Sequence, residues 1–350
     1  MQRYRIFLSL LTILIPLLWL GCGGDGQLTA SGGIGGSGNL DTSVGTVTAV
    51  GSITVNGVKF ETDTATVIVD DQTAPDDSGL RVGMVVEVRG TVNTDGVSGR
   101  AETVIVNTAL SGPVDAVADG ALTLLGQTVV IDAQTRFDAE TITPPSIDGL
   151  TAGDLIAVSG QPVSNGSLRA TRIEKKGADE ATLRVTGFVT DLTASTFTVG
   201  SLAVDYGLAE LDGFEGRALL AGDFVEVRGT LGDGDVLQAE RIKRRERDYD
   251  DGELAELEGI LSAADEPVYT MVTAVGPVTF RIGSSTLFDE GSLVDLTVGA
   301  EVEVEGEFSG DVLEAEVIEV ETATDADDNG ADDPDDSDDD DDNSGPGGGS

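Results

Sequence analysis

Histidine is absent from the 350-residue chain and cysteine occurs once, at Cys22, and both facts remove whole classes of chemistry. Without histidine the chain has no imidazole base, no Ser–His or Cys–His relay and no imidazole metal ligand. A lone cysteine has no partner for an intrachain disulfide and cannot build a thiolate zinc site. Phosphate-binding glycine loops and dinucleotide-binding fingerprints are also missing from the sequence. We therefore expect no enzyme of these classes.

Aromatic residues and positive charge are scarce as well. Aromatic side chains make up 4% of the chain, and 64 acidic residues outnumber 20 basic ones to give a net charge of −44. Such a chain repels phosphate backbones and offers few platforms on which bases could stack. The sequence therefore predicts no nucleic-acid partner. Five aromatic residues spaced along the chain are assigned to core packing rather than to a carbohydrate-stacking face: Phe60, Phe137, Phe197, Phe224 and Phe280.

What the chain does contain is one short motif, repeated four times. The copies read LRVGMVVEVRG at Leu80–Gly90, LTAGDLIAVSG at Leu150–Gly160, LLAGDFVEVRG at Leu219–Gly229 and LTVGAEVEVEG at Leu296–Gly306. Their first residues, 80, 150, 219 and 296, are 70, 69 and 77 positions apart. This regular spacing indicates a tandem array of small domains.

The motif has the pattern of a strand that is buried on one face. In the fourth copy Val302 and Val304 share one face while Glu303 lies on the other, because side chains alternate across a strand. We expect the glutamates at this outward position, including Glu87 and Glu226, to be solvated. The first glycine of each motif is predicted to lie in a turn with positive φ, and the last at a bulge or sharp bend.

Further strand patterns surround each motif, joined by glycine-containing hairpins such as Asn56-Gly57. One unit holds about five or six strands in about 70 residues, which is the scale of an OB-like Greek-key barrel. The predicted fold is all-β: four tandem small OB-like β-barrel repeats with an N-terminal lipoprotein signal and a disordered acidic C-terminal tail. The predicted divisions are a signal peptide at 1–21, a Gly/Ser-rich tether at 22–42, barrel repeats at 43–109, 110–178, 181–247 and 253–322, and the tail at 323–350.

The repeats resemble a known family. An opening VTAV followed by ITVNGVKF at Ile53–Phe60, the L-x-x-G motif and an A-x-x-I close are similar to a bacterial domain of unknown function, family 5666. That family occurs in tandem in lipoproteins and exported proteins. The resemblance extends from about Val44 to Thr322 and implies the architecture of the chain. It implies no activity, and no functional residue is carried over from it.

The N-terminal residues have the pattern of an export signal. Two arginines precede an apolar run, Ile6–Leu20, and Gly21 and Cys22 follow. This order is typical of a bacterial lipobox, in which cleavage before Cys22 leaves the thiol to carry lipid. An uncleaved transmembrane anchor and an ordinary signal with a chance cysteine are the alternatives, and the run is short for a full span. Because Gly23 rather than aspartate follows Cys22, we expect a lipid anchor in the outer membrane, on either its periplasmic or its surface side.

The joint between the third and fourth repeats is unusually charged. The residues of Lys243–Arg247 read Lys-Arg-Arg-Glu-Arg, and Asp248, Asp250, Asp251 and Glu253 follow. Such a segment can be a patch for anions or lipid headgroups, or a solvated linker in which opposite charges neutralise each other. The balance of signs favours the solvated linker.

The acidic tail contains a calcium-loop pattern. The pattern D-x-[DN]-x-[DN]-G, with acids at loop positions nine and twelve, is met by Asp325, Asp327, Asn329, Gly330, Asp333 and Asp336. Ca²⁺ prefers oxygen ligands on a flexible backbone, but position twelve is Asp rather than the longer Glu. An Asp-rich tail also meets the pattern by chance. Weak Ca²⁺ binding therefore stands beside the alternative of a solvated polyanion that only condenses cations.

Together these observations predict a non-enzymatic cell-envelope lipoprotein that binds or scaffolds an unidentified ligand. The membrane is contacted through the lipid anchor, and an envelope protein or a polysaccharide is the expected partner. Two alternatives stay open: a carboxylate-based enzyme of carbohydrate or cell-wall turnover, and a passive surface spacer. Whichever function applies, the array is expected to unfold as several similar small units.

Replacing Cys22 with serine tests the lipid anchor. Because lipid is attached through the thiol, we expect Cys22→Ser to move the protein from the membrane to the soluble fraction and to abolish fatty-acid labelling. Membrane fractionation and metabolic labelling measure the two effects. Unchanged labelling of the variant would contradict the anchor.

Overall fold

Each copy of the repeated motif forms one strand of its own small β-barrel. A computed structural model describes residues 41–321 except 119, 164–165 and 178–181. These residues form four closed barrels, so the predicted all-β fold with four tandem barrel repeats is confirmed. Among them, no helix has both the length and the apolar character needed to cross a membrane.

The four barrels contain seven, six, six and five of the described strands in chain order. Barrel 1 contains β1 (Thr42–Thr46), β2 (Ile53–Val55), β3 (Val58–Glu61), β4 (Thr66–Val69), β5 (Gln72–Thr73), β6 (Val85–Val92) and β7 (Ser98–Val106). Barrel 2 contains β8 (Leu110–Ala118), β9 (Ala121–Leu124), β10 (Gln127–Val130), β11 (Arg136–Phe137), β12 (Leu155–Pro162) and β13 (Leu168–Lys175).

Barrel 3 contains β14 (Leu183–Thr190), β15 (Thr196–Val199), β16 (Leu202–Asp205), β17 (Glu210–Asp212), β18 (Phe224–Leu231) and β19 (Leu237–Arg244). Barrel 4 contains β20 (Leu254–Asp265), β21 (Val268–Thr273), β22 (Gly276–Glu290), β23 (Glu301–Ser309) and β24 (Val312–Val320). Short 3₁₀ turns lie at Ile147–Gly149, Asp233–Asp235 and Leu293–Asp295.

The same strand pairing closes every barrel. In barrel 1, β6 pairs antiparallel with both β1 and β7, and β3 pairs parallel with β7. A hairpin joins β2 to β3, and a bridge between Ala49 and Thr54 completes the ring. The parallel pairs β10–β13, β16–β19 and β22–β24 occupy the same place in the other barrels. This is a Greek-key barrel of the OB type, as the repeat length predicted.

Alternating apolar side chains fill each barrel. Val302 and Val304 are buried in barrel 4, as their spacing predicted. The core assignment of the aromatic residues is confirmed for Phe60, Phe197 and Phe280. Phe137 is only partly buried at the edge of the core. Phe224 is fully buried but lies on the outward strand face, where its ring packs against Phe188 with centroids 4.9 Å apart.

The barrels are joined in pairs by their first strands. In one pair, β1 of barrel 1 runs parallel to β20 of barrel 4, with Thr42 opposite Ala255. In the other, β8 of barrel 2 runs antiparallel to β14 of barrel 3, with Leu110 opposite Val185. Each pair of barrels therefore shares one continuous 12-stranded sheet. The fourth barrel returns to the first, so the repeats do not form a linear string.

The two glycines of the motif have different structural roles. The first lies at positive φ, between 87° and 97°, in every copy, as predicted: Gly83, Gly153, Gly222 and Gly299. The last lies at a β-bulge, also as predicted, because the strand register shifts immediately before Gly90, Gly160, Gly229 and Gly306.

Gly229 shows why no side chain fits at the bulge. A Cβ atom at this position would lie less than 3.0 Å from the carbonyl oxygen of Gln238 on the paired strand β19. The constraint is the close approach of two backbones, since Gly229 does not have positive φ. The bulge therefore depends on the absence of a side chain rather than on left-handed backbone geometry.

Substituting the last glycine of the third motif tests this close approach. We expect Gly229→Val to lower the free energy of unfolding by about 2–3 kcal/mol, because the strands must separate to make room for the side chain. Gly79→Val is the matched control, since nothing lies within 4 Å of a Cβ atom built there. Urea denaturation followed by circular dichroism measures both variants. Equal stabilities of the two would contradict the backbone contact.

Candidate functional site

The outward face of the motif strand is buried between barrels rather than solvated. Glu226 on β18 is 1% exposed and Glu87 on β6 is 5% exposed, while Glu303 on β23 is partly buried. The prediction that these glutamates are solvated is therefore wrong. Side-chain alternation correctly placed them on the strand face that points away from the barrel core, but neighbouring parts of the chain cover that face. The spaces between barrels consequently hold many of the buried charges.

Glu226 is the anionic centre of a contact between barrels 1 and 3. Its carboxylate accepts hydrogen bonds from Arg228 and Arg245, the latter through Nε at 3.1 Å, and Arg184 Nε lies 3.7 Å away. The buried Arg184 also forms an ion pair with Asp70 of barrel 1. Burial removes the water around a carboxylate, so the ionised form is stable only with such partners. One carboxylate therefore ties together β14, β18 and the segment after β19.

The charged joint between the third and fourth repeats passes through this contact. Arg245 donates to Asn107 Oδ1 at 2.8 Å, while Arg247 pairs with Glu253 at 2.6 Å and lies 3.3 Å from Glu87. The side chains of Arg245 and Arg247 are only 9% and 16% exposed. The predicted solvation is therefore wrong for these arginines, whereas the aspartates that follow them are exposed as predicted. The opposite charges of the joint do neutralise each other, partly within the joint through Arg247 and Glu253 and partly between barrels with carboxylates remote in the sequence.

Barrel 1 contributes two adjacent aspartates from the turn between β4 and β5. Asp70 and Asp71 have φ values of 53° and 70°, and Asp71 pairs with Lys243 and Arg228 at 2.5 Å each. Burial alone would raise the pKa of Asp71, but the hydrogen bond from Lys243 and the charges of Lys243, Arg245 and Arg228 lower the pKa to about 2. Sequence reasoning missed both residues, because adjacent aspartates in a hairpin turn are ordinary turn residues.

We call these residues the charged junction: Asp70, Asp71, Glu87, Arg184, Glu226, Arg228, Lys243, Arg245 and Arg247. A cavity of about 390 Å³ lies beside it, and five cations and three carboxylates line the cavity. Each of those cations already has a carboxylate partner within 4.0 Å. The cations at the junction are therefore already engaged by carboxylates that fix the barrels, which gives little support to the anion-patch alternative.

A second polar contact joins barrels 1, 2 and 4. Glu258 on β20 accepts hydrogen bonds from the Thr46 backbone nitrogen at 2.7 Å, the Thr46 hydroxyl at 3.2 Å and the Gln161 side-chain amide on β12. Arg169 of barrel 2 forms an ion pair with Glu301 of barrel 4. Burial raises the pKa of the Glu258 carboxyl. The strand β20 is thus held by side chains from two other barrels.

Barrel 4 also carries a row of facing carboxyl groups. The strand register places Glu256 opposite Glu305, and Glu303 opposite Glu319. Glu256 is fully buried, and burial, with the charge of Glu303 adding to it, raises the pKa of its carboxyl well above the usual range. Burial, together with the charge of Glu290, raises the pKa of Glu319 to about 7. This face is most stable when its buried carboxyls are protonated.

The site residues predicted from the sequence lie outside the residues described. They are Cys22 for lipid and, for calcium, Asp325, Asp327, Asn329, Asp333 and Asp336. Both assignments therefore stay predictions. Within residues 41–321, as far as they are described, no group of three acidic, cysteine or histidine side chains is arranged to hold a metal ion.

The barrels coincide with the matches of a family model. The model, "Domain of unknown function (DUF5666)", matches residues 44–104, 111–174, 186–243 and 258–319. The chain belongs to the DUF5666 family. Each match runs from the first strand of a barrel to its last strand, so one DUF5666 unit is one barrel. No curated protein sequence matches the chain.

Two solved structures have a distant similarity to this DUF5666 chain. Drosophila Unr CSD456 is 17% identical, with 57% of this chain and 90% of that chain covered and a TM-score of 0.15. A multidomain protein with nucleic acid binding domains from Streptococcus pneumoniae is 14% identical, with 60% and 71% covered and a TM-score of 0.15. At these TM-scores the similarity carries no argument about the function of the DUF5666 barrels.

Removing the charge of Glu226 tests the charged junction. Glu226→Gln keeps the shape of the side chain but leaves the buried Arg245 without its carboxylate and Arg184 with Asp70 alone, so we expect the free energy of unfolding to fall by about 3–5 kcal/mol. The control is Glu61→Gln, which removes the carboxylate partner of Arg100 in an exposed ion pair. We expect it to lower the free energy of unfolding by less than about 1 kcal/mol. Urea denaturation measures both. A loss in Glu226→Gln no larger than in the control would contradict the junction.

The raised pKa of Glu319 predicts a pH dependence of stability. Because the folded-state pKa of about 7 exceeds the ordinary value of 4.5, the proton stabilises the fold fully below about pH 4.5, and this stabilisation is lost as the pH rises through about 7. We expect the urea midpoint to fall between about pH 5 and about pH 8, and Glu319→Gln to reduce that fall. Glu316 is exposed on the same strand, and Glu316→Gln should leave the pH dependence of the urea midpoint unchanged. Equal pH slopes for wild type and Glu319→Gln would contradict the assignment.

Proposed function

We propose that this DUF5666 protein is a lipid-anchored cell-envelope protein whose four barrels act together as one non-enzymatic binding or scaffolding body. The observation that carries the proposal is the set of polar contacts buried between barrels. Arg184 and Asp70 are 114 positions apart, and Glu258 and Thr46 are 212 apart, yet both pairs are in direct contact. Such contacts fix the clefts between barrels in one geometry, which favours recognition of a ligand.

The packing argues against a passive spacer. A spacer gains reach when its repeats are arranged end to end. Here β20 pairs with β1, and the backbone N–H of Asp41 donates to the Leu254 carbonyl at 3.1 Å, so the first and fourth barrels are adjacent. Added repeats then add bulk and new clefts rather than length.

The carboxylates that the enzyme alternative needs are engaged elsewhere. A glycosidase dyad flanks a substrate cleft with two carboxyl groups about 5–10 Å apart. Glu87 and Glu226 are bound by arginines between barrels. The carboxyls with raised pKa are Glu256, Glu258 and Glu319, and none of them lines the cavity beside the charged junction or the cavity between barrels 2 and 3. These positions support binding without turnover.

The proposed setting follows from the termini. Lipid on Cys22 and the tether at 22–42 would hold the barrels at the outer membrane. The expected partner is an envelope protein or a polysaccharide, and the net charge of −44 disfavours nucleic acid. Weak Ca²⁺ binding by the tail, between Asp325 and Asp336, is a secondary proposal.

Binding assays run beside turnover assays test the proposed function. Calorimetry of the full-length protein against peptidoglycan fragments and a panel of polysaccharides and envelope proteins is expected to detect binding. Chromatography of the same mixtures is expected to show no hydrolysis products. Product formation would contradict a non-enzymatic role. Loss of one barrel without any change in binding or in envelope phenotype would contradict the joint action of the barrels.

A further inference from the structure

A second space between barrels differs in character from the charged junction. It is a cleft of about 270 Å³ between barrels 2 and 3, and we call it the 2–3 cleft. Its walls are the first strand of barrel 3, including Thr186, Phe188 and Thr190, and residues of barrel 2 that include Gln127 and Ser167. Its volume lies just below the range of about 300–1,000 Å³ for sites of drug-sized ligands, which suits a small ligand.

The 2–3 cleft has no charged lining among the residues described. This is unexpected in a chain in which 24% of residues are charged. The lining instead combines apolar side chains with amide and hydroxyl groups from Gln127, Ser167, Thr186 and Thr190. Among these described residues a charged ligand would find no compensating charge, whereas a neutral ligand with both apolar and hydroxyl-bearing faces would be matched.

Contacts between the two barrels hold the cleft in shape. Gln127 is buried, and its side-chain amide donates to the Val199 carbonyl of barrel 3 at 2.8 Å. Ser201 of barrel 3 donates to the Gly126 carbonyl of barrel 2. These bonds join the β9–β10 hairpin to the β15–β16 hairpin, so the cleft is formed before any ligand arrives. A preformed cleft reduces the entropy cost of binding.

Phe188 supplies an aromatic surface within this lining. It is partly exposed, and its ring packs against the fully buried Phe224, which restricts its rotation. An aromatic ring offers an apolar face to the C–H groups of a sugar ring. The neighbouring Thr186 and Thr190 lie two residues to either side on the same strand face, where their hydroxyls flank the ring.

We propose that the 2–3 cleft binds one or two units of a neutral saccharide. The saccharide would place a ring face against Phe188 and its hydroxyls toward Gln127 and the two threonines. This inference rests on the proposed binding function and specifies the ligand class for it. The cavity at the charged junction is the weaker candidate, because its cations are already paired and the net charge of −44 repels anions.

A pair of matched variants tests the assignment. Thr190 is exposed at the cleft, and its hydroxyl contacts that of Thr198 at 2.6 Å. Thr196 is also an exposed strand residue of the same barrel, its hydroxyl contacts that of Thr193 at 2.7 Å, and it does not line the cleft. Thr190→Arg therefore places a long charged side chain at the cleft, while Thr196→Arg places it away from the cleft.

The full-length wild type is first screened on an array of neutral, acidic and amino oligosaccharides and of neutral peptides. The neutral oligosaccharide with the strongest signal is then titrated calorimetrically into all three proteins. We expect Thr190→Arg to weaken binding by about tenfold or more, and Thr196→Arg to leave it within about twofold. Thermal stabilities of both variants equal to that of the wild type would show that neither change acts through unfolding.

The remaining outcomes overturn the saccharide assignment in distinguishable ways. Undiminished binding by Thr190→Arg would place the saccharide outside the 2–3 cleft. Binding only of acidic oligosaccharides or only of peptides, without turnover, would contradict the ligand class and leave the proposed binding role intact. Hydrolysis of any array ligand would contradict the non-enzymatic role itself.

Discussion

A carboxylate that stays ionised while buried between barrels must be met by cations, and Glu226 imposes this constraint on the whole chain. Its partners come from two strands of barrel 3 and from the joint that leads to barrel 4, and one of them, Arg184, also pairs with Asp70 of barrel 1. Because an uncompensated buried charge costs several kcal/mol, these segments cannot be rearranged independently. The joint after β19 is therefore fixed in position, and barrel 4 is directed back toward barrel 1.

Sharing of sheets reinforces the same arrangement. Barrels 1 and 4 are continuous through β1 and β20, and barrels 2 and 3 through β8 and β14. A barrel of about 70 residues buries little apolar surface by itself. Packing of its outward face against a neighbouring barrel increases the buried surface. The barrels are therefore expected to lose structure together rather than as the independent units that a tandem sequence suggests. Preformed clefts between barrels follow directly from this packing.

Much of the fold could be predicted from the sequence, because strand alternation and glycine positions report local geometry. Val302 and Val304 indicated the buried face, and the last glycine of each motif indicated the bulge.

The site could not be predicted in the same way. Alternation shows that Glu226 and Glu87 face away from the core, but it does not show what covers them. One signal was available: eight of the chain's 20 basic residues lie in the third repeat and the joint that follows it, between Arg184 and Arg247. Such a concentration in a strongly acidic chain is consistent with a place where buried carboxylates need partners.

The central claim is that the four barrels form one compact body, and small-angle X-ray scattering on residues 41–321 tests it most directly. A compact chain of this length has a radius of gyration of about 19 Å, whereas four such barrels strung end to end give about 30 Å or more. We predict a value near the lower figure that does not change with ionic strength, because the charges of the junction are buried. A value near the higher figure, or a marked expansion in high salt, would contradict the account.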